Sequence, residues 1–359
     1  MEKNYNSLLK EIAIPRISGK DSEKEVLKRI VNRMRKSGFD VIIEDFYFSK
    51  FPAEVFQRSV LFFFWTLSLL ILFFFRNSIP VKILFYLFIF LSLHFLTRWS
   101  EKFEILYNLF KKNRSANILA YPPGNREKKF LFLAHYDSKS QFLPLPLRIF
   151  FFFLFFLSTL VLPLSGSFWK APWIIQTVSL LFLLLNFTSD YSKGGIDNAS
   201  GVLSLLILAE KIKNEKVAFL FTGAEEMGLC GAIEFLKKHE KELSKDMIII
   251  NIDGIGNGKT LIITTKFGIP PKRTSKYVYK ILKRIAEKRG LKTKEGWLPF
   301  GAALDHIPFA AKGHESLTVH LSSSKDAFFV HTHRDTPDKV NLECVREISE
   351  ILYQFLKEI

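Results

Sequence analysis

Gly194-Gly195-Ile196-Asp197-Asn198-Ala199-Ser200-Gly201 is a tight glycine turn that delivers one acid and then a small-residue start to an apolar helix. A strand-to-helix turn of this kind can point its acid into a cleft. Taken alone, Asp197 reads as the cap of a helix over residues 200–213. It has company. His135 and Asp137 close an upstream apolar run, Glu225 and Glu226 follow a second, Asp253 ends a third, and His331 comes later. Imidazoles and carboxylates in that order are a donor set for two metal ions with Asp197 between them.

Working outward from the turn, the periodicity switches repeatedly between strand and helix. After the helix at 200–213, residues 217–222 read as a strand, 230–243 as a helix and 247–252 as a strand; 276–289 read as a helix, 317–321 as a strand and 341–357 as a closing helix. On the N-terminal side, residues 116–121 and 129–135 read as strands and 39–48 as another. Residues 22–37 form an amphipathic helix with Val26, Ile30, Val31 and Met34 on one face, and Gly38 stops it. Short apolar runs separated by helices predict an α/β fold with a mostly parallel (mixed) sheet covered by helices on both faces. Ligands bind such sheets beyond the carboxyl ends of the strands, which is where His135, Glu225 and Asp253 fall.

Two blocks interrupt that alternation. Residues 60–75 and 81–96 are apolar runs of about 16 residues each, rich in Phe and Leu, joined through Arg76-Asn77-Ser78-Ile79-Pro80. A second pair, 149–164 and 173–187, is joined through a turn carrying Trp169 and Trp173, a placement that suits interfacial aromatics. Runs this short leave open a thin-bilayer span, extension into the flanks or an interfacial hairpin. Apolar residues around the whole circumference argue against a helix pair buried in a soluble core. The expectation is therefore one discontinuous domain at 1–54, 101–142 and 188–359, with transmembrane helical hairpins inserted at 55–100 and 143–187.

Composition narrows the partners. The 51 Lys and Arg against 35 Asp and Glu give a net charge of +16, but the basic residues are dispersed and no nucleic-acid motif accompanies them. Nucleic acid is excluded; a lipid bilayer suits the charge and the hairpins better. Lys50, Arg58, Arg98, Lys102, Lys111 and Lys112 crowd the outer ends of the hairpins, while only Arg76, Lys82 and Lys170 lie at their turns. The positive-inside rule then predicts a multi-pass membrane protein with its catalytic body facing the cytoplasm. Residues 1–36 show no signal-peptide pattern. Cys230 and Cys344 stand in unrelated contexts and read as free thiols or inert core residues. Nothing indicates an oligomeric state.

The acids divide by task. His135, Asp197 and Asp253 suit one ion, and Asp197, Glu226 and His331 the other. Adjacent Glu225 and Glu226 diverge on loop backbone, so one can bind metal while the other moves a proton. Asp137, two residues from His135, shares its side of an extended strand and is expected to accept the second ring N–H of His135. Singly, each pattern is common by chance; together, each at a strand end or polar turn, they make a site.

Six strings carry a family resemblance: A-H-Y-D-S at 134–138, G-I-D-N-A-S-G at 195–201, T-G-A-E-E-M-G at 222–228, N-I-D at 251–253, L-D-H-I-P-F at 304–309 and H-T-H-R-D-T-P-D at 331–338. The chain resembles the co-catalytic di-zinc exopeptidases, which include bacterial leucyl aminopeptidases, glutamate carboxypeptidase and glutaminyl cyclase, over nearly its whole length apart from the hairpins. The resemblance implies a phosphorylase/hydrolase-like zinc exopeptidase fold and two zinc ions per chain. It implies His135, Asp197, Glu226, Asp253 and His331 as ligands and Glu225 as general acid/base. The family's final ligand heads an H-T-x-x-D-T string, which favours His331 over His333. It also places Asp305 and His306 at the rim of the substrate pocket.

The expected activity is removal of residues from peptide N-termini by a membrane-anchored zinc aminopeptidase. The second hairpin leads directly into the metal site, so it is expected near the cleft mouth, favouring short or membrane-proximal peptides. Two alternatives stand beside this. One is a glutaminyl cyclase-like zinc acyltransferase, suggested by His-Tyr-Asp-Ser-Lys and Asp-His-Ile-Pro-Phe; the other is a non-catalytic membrane scaffold of the same fold. The complete ligand set and D-N-A-S-G favour the peptidase.

Overall fold

The computed structural model describes residues 4–75, 77–99, 109–124, 129–212, 216–299 and 304–359. Arg76, Lys102 and Lys213 of the sequence reading lie outside these residues, as does the side chain of Arg98. Eleven strands are described: β1 (Asp40–Phe48), β2 (Asn113–Tyr121), β3 (Phe130–His135), β4 (Ser140–Gln141), β5 (Thr188–Ser189), β6 (Val217–Thr222), β7 (Ile248–Ile255), β8 (Thr260–Phe267), β9 (Lys272–Arg273), β10 (Lys292–Leu298) and β11 (Glu315–Leu321). Nine form one sheet in the order β1-β2-β6-β3-β7-β11-β8-β10, with β9 on β8, while β4 and β5 pair apart from it.

The sheet is mixed. The centre, β6-β3-β7-β11, is parallel, whereas β1-β2, β2-β6 and β11-β8 are antiparallel. Central strands read as unbroken apolar runs because both of their faces are covered. β3 and β6 are buried at every position. Phe130 and Phe132 join the core formed with helices Asp21–Lys36, Ser200–Lys211 and Leu342–Glu358. The alternate residues Leu131 and Leu133 face Ala232, Phe235 and Leu236 of helix Cys230–His239 on the other side. Parallel register sets His135 opposite Thr222, so the acidic loop leaving β6 begins beside that histidine.

The four apolar helices pack against one another through Leu61, Phe64, Phe85, Ile89, Phe155 and Leu180. Each outruns its apolar stretch by extending into the flanks. Pro52–Phe74 is continuous through an initial π-turn, and with Leu145–Leu164 and Gly166–Leu184 it is long and apolar enough to cross a membrane; the fourth helix is Ile79–Trp99. Their outer surface is apolar as well, with Phe73, Phe74, Phe90, Phe153 and Phe168 all more than 60% exposed. Trp169 lies 5.7 Å from Phe73 and 6.0 Å from Trp173, ring to ring, so the second hairpin's turn meets the far end of the first helix.

Inside this bundle runs a short polar seam. Ser68 donates to Gln176 Oε1 (3.0 Å), Gln176 Nε2 donates to Thr159 (2.8 Å) and Trp65 Nε1 donates to Thr177 (3.0 Å). The Ser68 and Trp65 bonds cross between the two hairpins, and the Gln176–Thr159 bond joins the two helices of the second. Cys230 and Cys344 are both free and buried.

Candidate metal centre

Three strand ends and two loops converge on the cleft. Asp197 does not cap the following helix, whose start has no side-chain cap. Its carboxylate is divided between two imidazoles: Oδ1 lies 2.9 Å from His135 Nε2 and Oδ2 lies 2.9 Å from His331 Nε2. His135 Nε2 is also 3.8 Å from Asp253 Oδ1, and His331 Nε2 is 3.1 Å from Glu226 Oε2. Two trios result, His135–Asp197–Asp253 and Asp197–Glu226–His331, each with its donor atoms within 4.8 Å of one another. His333 points to solvent.

The glycine turn is built for close approach. Gly194 adopts a left-handed φ of +52°, and a Cβ there would lie 2.5 Å from the Asp197 carbonyl oxygen and 2.7 Å from Ser138 Cβ. The following peptide, Asp197–Asn198, is cis. Asn198 ties the turn to β7 by donating to the Ile252 carbonyl (2.8 Å).

Asp335 clamps the turn from the other side. It accepts from the backbone N–H of Ile196 (2.7 Å) and of Asp197 (3.1 Å), and burial pushes its carboxyl up to about 7. Arg16, fully buried, gathers the segments around the turn. Its guanidinium donates to the carbonyls of Ile14, Tyr136, Lys193 and Gly194. Burial lowers that guanidinium to about 10, against the opposing pull of Asp137, Asp335, Asp197 and Glu226. Sequence reasoning passed over both residues, although Asp335 lies inside a quoted string and Arg16 is a lone cation in the apolar run Ile14-Pro15-Arg16-Ile17.

Asp137 takes a different task from the one expected. Its approach to His135 Nδ1 is 3.5 Å, and that nitrogen has no hydrogen-bond partner. Instead its oxygens accept from the backbone N–H groups of Glu225 and Glu226 (3.2 Å each) and from Ser18 (2.7 Å). A carboxylate two residues along the strand is at the right height to brace the neighbouring loop, and it holds the two glutamates in place.

Glu225 and Glu226 diverge. The Glu226 side chain meets His331 and Lys139, whose charges hold it down to about 2 against the cost of burial. Burial, with Asp305, Glu226 and Asp253 nearby, raises the Glu225 carboxyl well above its usual range despite the pull of His135. Burial disfavours a charged His135, yet Glu225, Asp137, Asp197 and Asp253 together raise it.

Asp305 and His306 are not at a rim. Both are fully buried where helix His306–Ala311 packs under the sheet. Asp305 accepts from Thr222, and His306 Nδ1 sits 2.6 Å from Thr318 Oγ1. Asp305 lies beneath the acidic cluster, close enough to raise Glu225; residues 300–303, before the pair, lie outside the described residues.

The donor set fits zinc, which takes imidazole nitrogen and carboxylate oxygen. Three buried carboxylates face two imidazoles, and Glu226 Oε1 is buried without a hydrogen-bond partner, an arrangement that a cation completes.

Comparison with known proteins shows the family and the fold. The family model described as Peptidase family M28 matches residues 117–356. Among solved structures, the fold is similar to the zinc aminopeptidase BSAP of Bacillus subtilis, with a TM-score of 0.57 and 15% identity over 99% of this chain and 94% of that one. The LapA aminopeptidase of Legionella pneumophila gives 0.57 and 12% identity over 100% of this chain and 71% of the other. The glutaminyl cyclase of Porphyromonas gingivalis gives 0.55 and 14% identity over 99% and 96%. No curated protein matches the chain in sequence.

Proposed function

The chain belongs to peptidase family M28, the co-catalytic zinc exopeptidase type, and from that premise we propose that it is a membrane-anchored aminopeptidase with two zinc ions. One observation carries the reading: the Asp197 carboxylate is shared, one oxygen 2.9 Å from each of two histidines that belong to separate donor trios. His135, Asp197 and Asp253 would hold one ion, and Asp197, Glu226 and His331 the other. Zinc, when bound, supplies Lewis acidity to a peptide carbonyl and to water.

The chain's own groups do the rest. Glu225, whose backbone is fixed by Asp137, takes a proton from the attacking water and returns it to the leaving amine. Asp137 acts through that loop without touching substrate. Asp335 and Arg16 keep the Asp197 turn from relaxing.

The apolar helices anchor the body at the bilayer, with the basic residues near their outer ends on the cytoplasmic side. We assign residues 1–54, 101–142 and 188–359 to the catalytic domain and 55–100 and 143–187 to the inserted hairpins. Peptides that are short or lie close to the membrane are the expected substrates. Deleting both hairpins without any change in activity or substrate range would remove that last point.

The test uses the full chain in detergent, with zinc counted per chain and hydrolysis followed on aminoacyl amides and blocked peptides, with and without chelator. Glu225→Gln should keep its zinc and lose about 10²–10⁴-fold in turnover, the usual contribution of a general base. Pyroglutamate formation in place of amino-acid release would make the enzyme a cyclase. Biological activity that survives Glu225→Gln would make it a scaffold.

A further inference from the structure

The charge around the two donor trios is lopsided. Around His135 the nearest ionisable groups are the acids Glu225, Asp137, Asp197 and Asp253. On the other side stand two cations. Lys139 Nζ lies 2.8 Å from Glu226 Oε2 and 3.2 Å from the Glu226 carbonyl, and Arg148 Nη2 lies 3.1 Å from His331 Nδ1. Both side chains are partly exposed. The segment that carries them is fixed beside the site, because the Gln141 N–H donates to the His331 carbonyl at 2.7 Å. Arg148 belongs to the first turn of the apolar helix Leu145–Val161.

The Arg148 contact cannot persist once His331 serves as a ligand, whereas Glu226 can keep Lys139 on Oε2 and offer Oε1. A histidine that gives its Nε2 lone pair to a metal carries its hydrogen on Nδ1 and normally donates it to an oxygen. A guanidinium has only donors, so Arg148 has no bond to make there. The Glu226 oxygen that Lys139 holds is the same one that approaches His331 Nε2. Arg16, the other cation nearby, is already spent on four carbonyls. Lys139, with two contacts to Glu226, keeps a third N–H to give, and Arg148 loses its bond to His331 once Nδ1 carries a hydrogen.

We propose that Lys139 and Arg148 form an anion subsite on the Glu226–His331 side of the cleft, and that preferred substrates place a carboxylate there. This rests on the zinc peptidase reading and names its substrate class. The planar guanidinium fork and the ammonium match the two oxygens of a carboxylate. That group comes from an acidic side chain or from the C-terminus of a dipeptide.

The experiment uses the zinc-loaded full chain in detergent. Values of kcat/KM are compared for Leu-Ala-amide, Glu-Ala-amide and Leu-Ala, and calorimetry measures the binding of free glutamate and free leucine. Glu-Ala-amide exceeding Leu-Ala-amide assigns the side chain, and Leu-Ala exceeding Leu-Ala-amide assigns the C-terminus. The expected preference is at least about tenfold, as one charge-assisted contact provides. Lys139→Met and Arg148→Met should each collapse that ratio through KM, and Arg148→Lys should restore part of it. Zinc content and circular dichroism identify any variant that fails to fold, in which case Arg148→Lys and the wild-type binding data decide. Equal loss on all substrates, or no preference in the wild type, overturns the subsite. If nothing is hydrolysed, the peptidase reading fails; tighter binding of glutamate than leucine then still supports the subsite, and equal or absent binding overturns it.

Discussion

The sheet domain and the apolar helices both bury polar side chains, but of different kinds. Around the cleft the buried polar groups are ionisable: His135, Asp137, Asp197, Glu225, Glu226, Asp253, Asp305 and Asp335 are all under 10% exposed. Among the described residues of the four apolar helices, the buried polar groups are neutral: Ser68, Ser158, Thr159, Gln176 and Ser179. The first set is held in a charge arrangement that a cation completes. In the second, Ser68, Thr159, Gln176 and Ser179 are paired off within the bundle. Substitutions should therefore act strongly and with pH in the domain, and weakly and without pH in the bundle.

The sharpest break in that contrast would come from Glu23, which lies behind the site, buried on helix Asp21–Lys36. It accepts from the Gly19 N–H (2.7 Å) and from Ser115, yet burial pushes it up to about 8. Between its ordinary value of 4.5 and about 8, the folded chain holds a proton that the unfolded chain has released. Stability must then fall as pH rises through that window. His306 runs the other way: burial lowers it from 6.5 to about 3, so stability falls as pH drops below 6.5. A tenfold change in proton affinity on folding is worth roughly 1.4 kcal/mol, so each effect amounts to several kcal/mol at most. Unfolding of the chelated protein across pH 5–9 should flatten in Glu23→Gln, whose amide can still accept from Gly19 and donate to Ser115. An unchanged slope removes Glu23 as its source.

Asp335 tests whether the domain's polar groups work as a unit. Asp335→Ala leaves the N–H groups of Ile196 and Asp197 without acceptors and frees the turn that aims the shared carboxylate. Partners one step removed from a ligand typically contribute about 10–100-fold to metal affinity or activity. Zinc competition with a chromogenic chelator should show a loss of that size. A variant with unchanged affinity would mean that the glycine turn holds its shape unaided.

Much of this was legible in the sequence, for physical reasons. Buried central strands leave continuous apolar runs, so β3, β6 and β7 and the groups at their ends could be read directly. Edges are harder. β10 (Lys-Thr-Lys-Glu-Gly-Trp-Leu) is half-exposed and nearly without apolar residues, so its sequence carries no strand signal. β8 (Thr-Leu-Ile-Ile-Thr-Thr-Lys-Phe), absent from the strands read above, does carry a signal in its β-branched content. The residues that bind metal donors share a narrow chemistry, whereas those that brace backbone, Asp335 and Arg16, look like any acid or base until their carbonyl and N–H partners are in place. The same limit misplaced Asp305 and His306, since a string does not say which way its side chains face. The Gln176 seam was invisible inside a run selected for being apolar.

That seam supplies the smallest effect and the other half of the contrast. Gln176 joins Ser68 of the first hairpin to Thr159 of the second, so in an apolar surround it looks indispensable. Its partners have alternatives, however: Ser68 also donates to the Trp65 carbonyl (2.8 Å) and Thr159 to the Phe155 carbonyl (2.8 Å). Gln176→Leu removes two interhelical bonds and strands neither hydroxyl. Such bonds average about 0.6 kcal/mol each within membranes, and the leucine recovers packing against neighbours that are already apolar. The expected loss is about 1 kcal/mol or less by reversible unfolding in bicelles, the same at pH 5 and pH 9. A loss of several kcal/mol, or one that varies with pH, would show that the bundle, like the domain, depends on its polar groups for more than pairing.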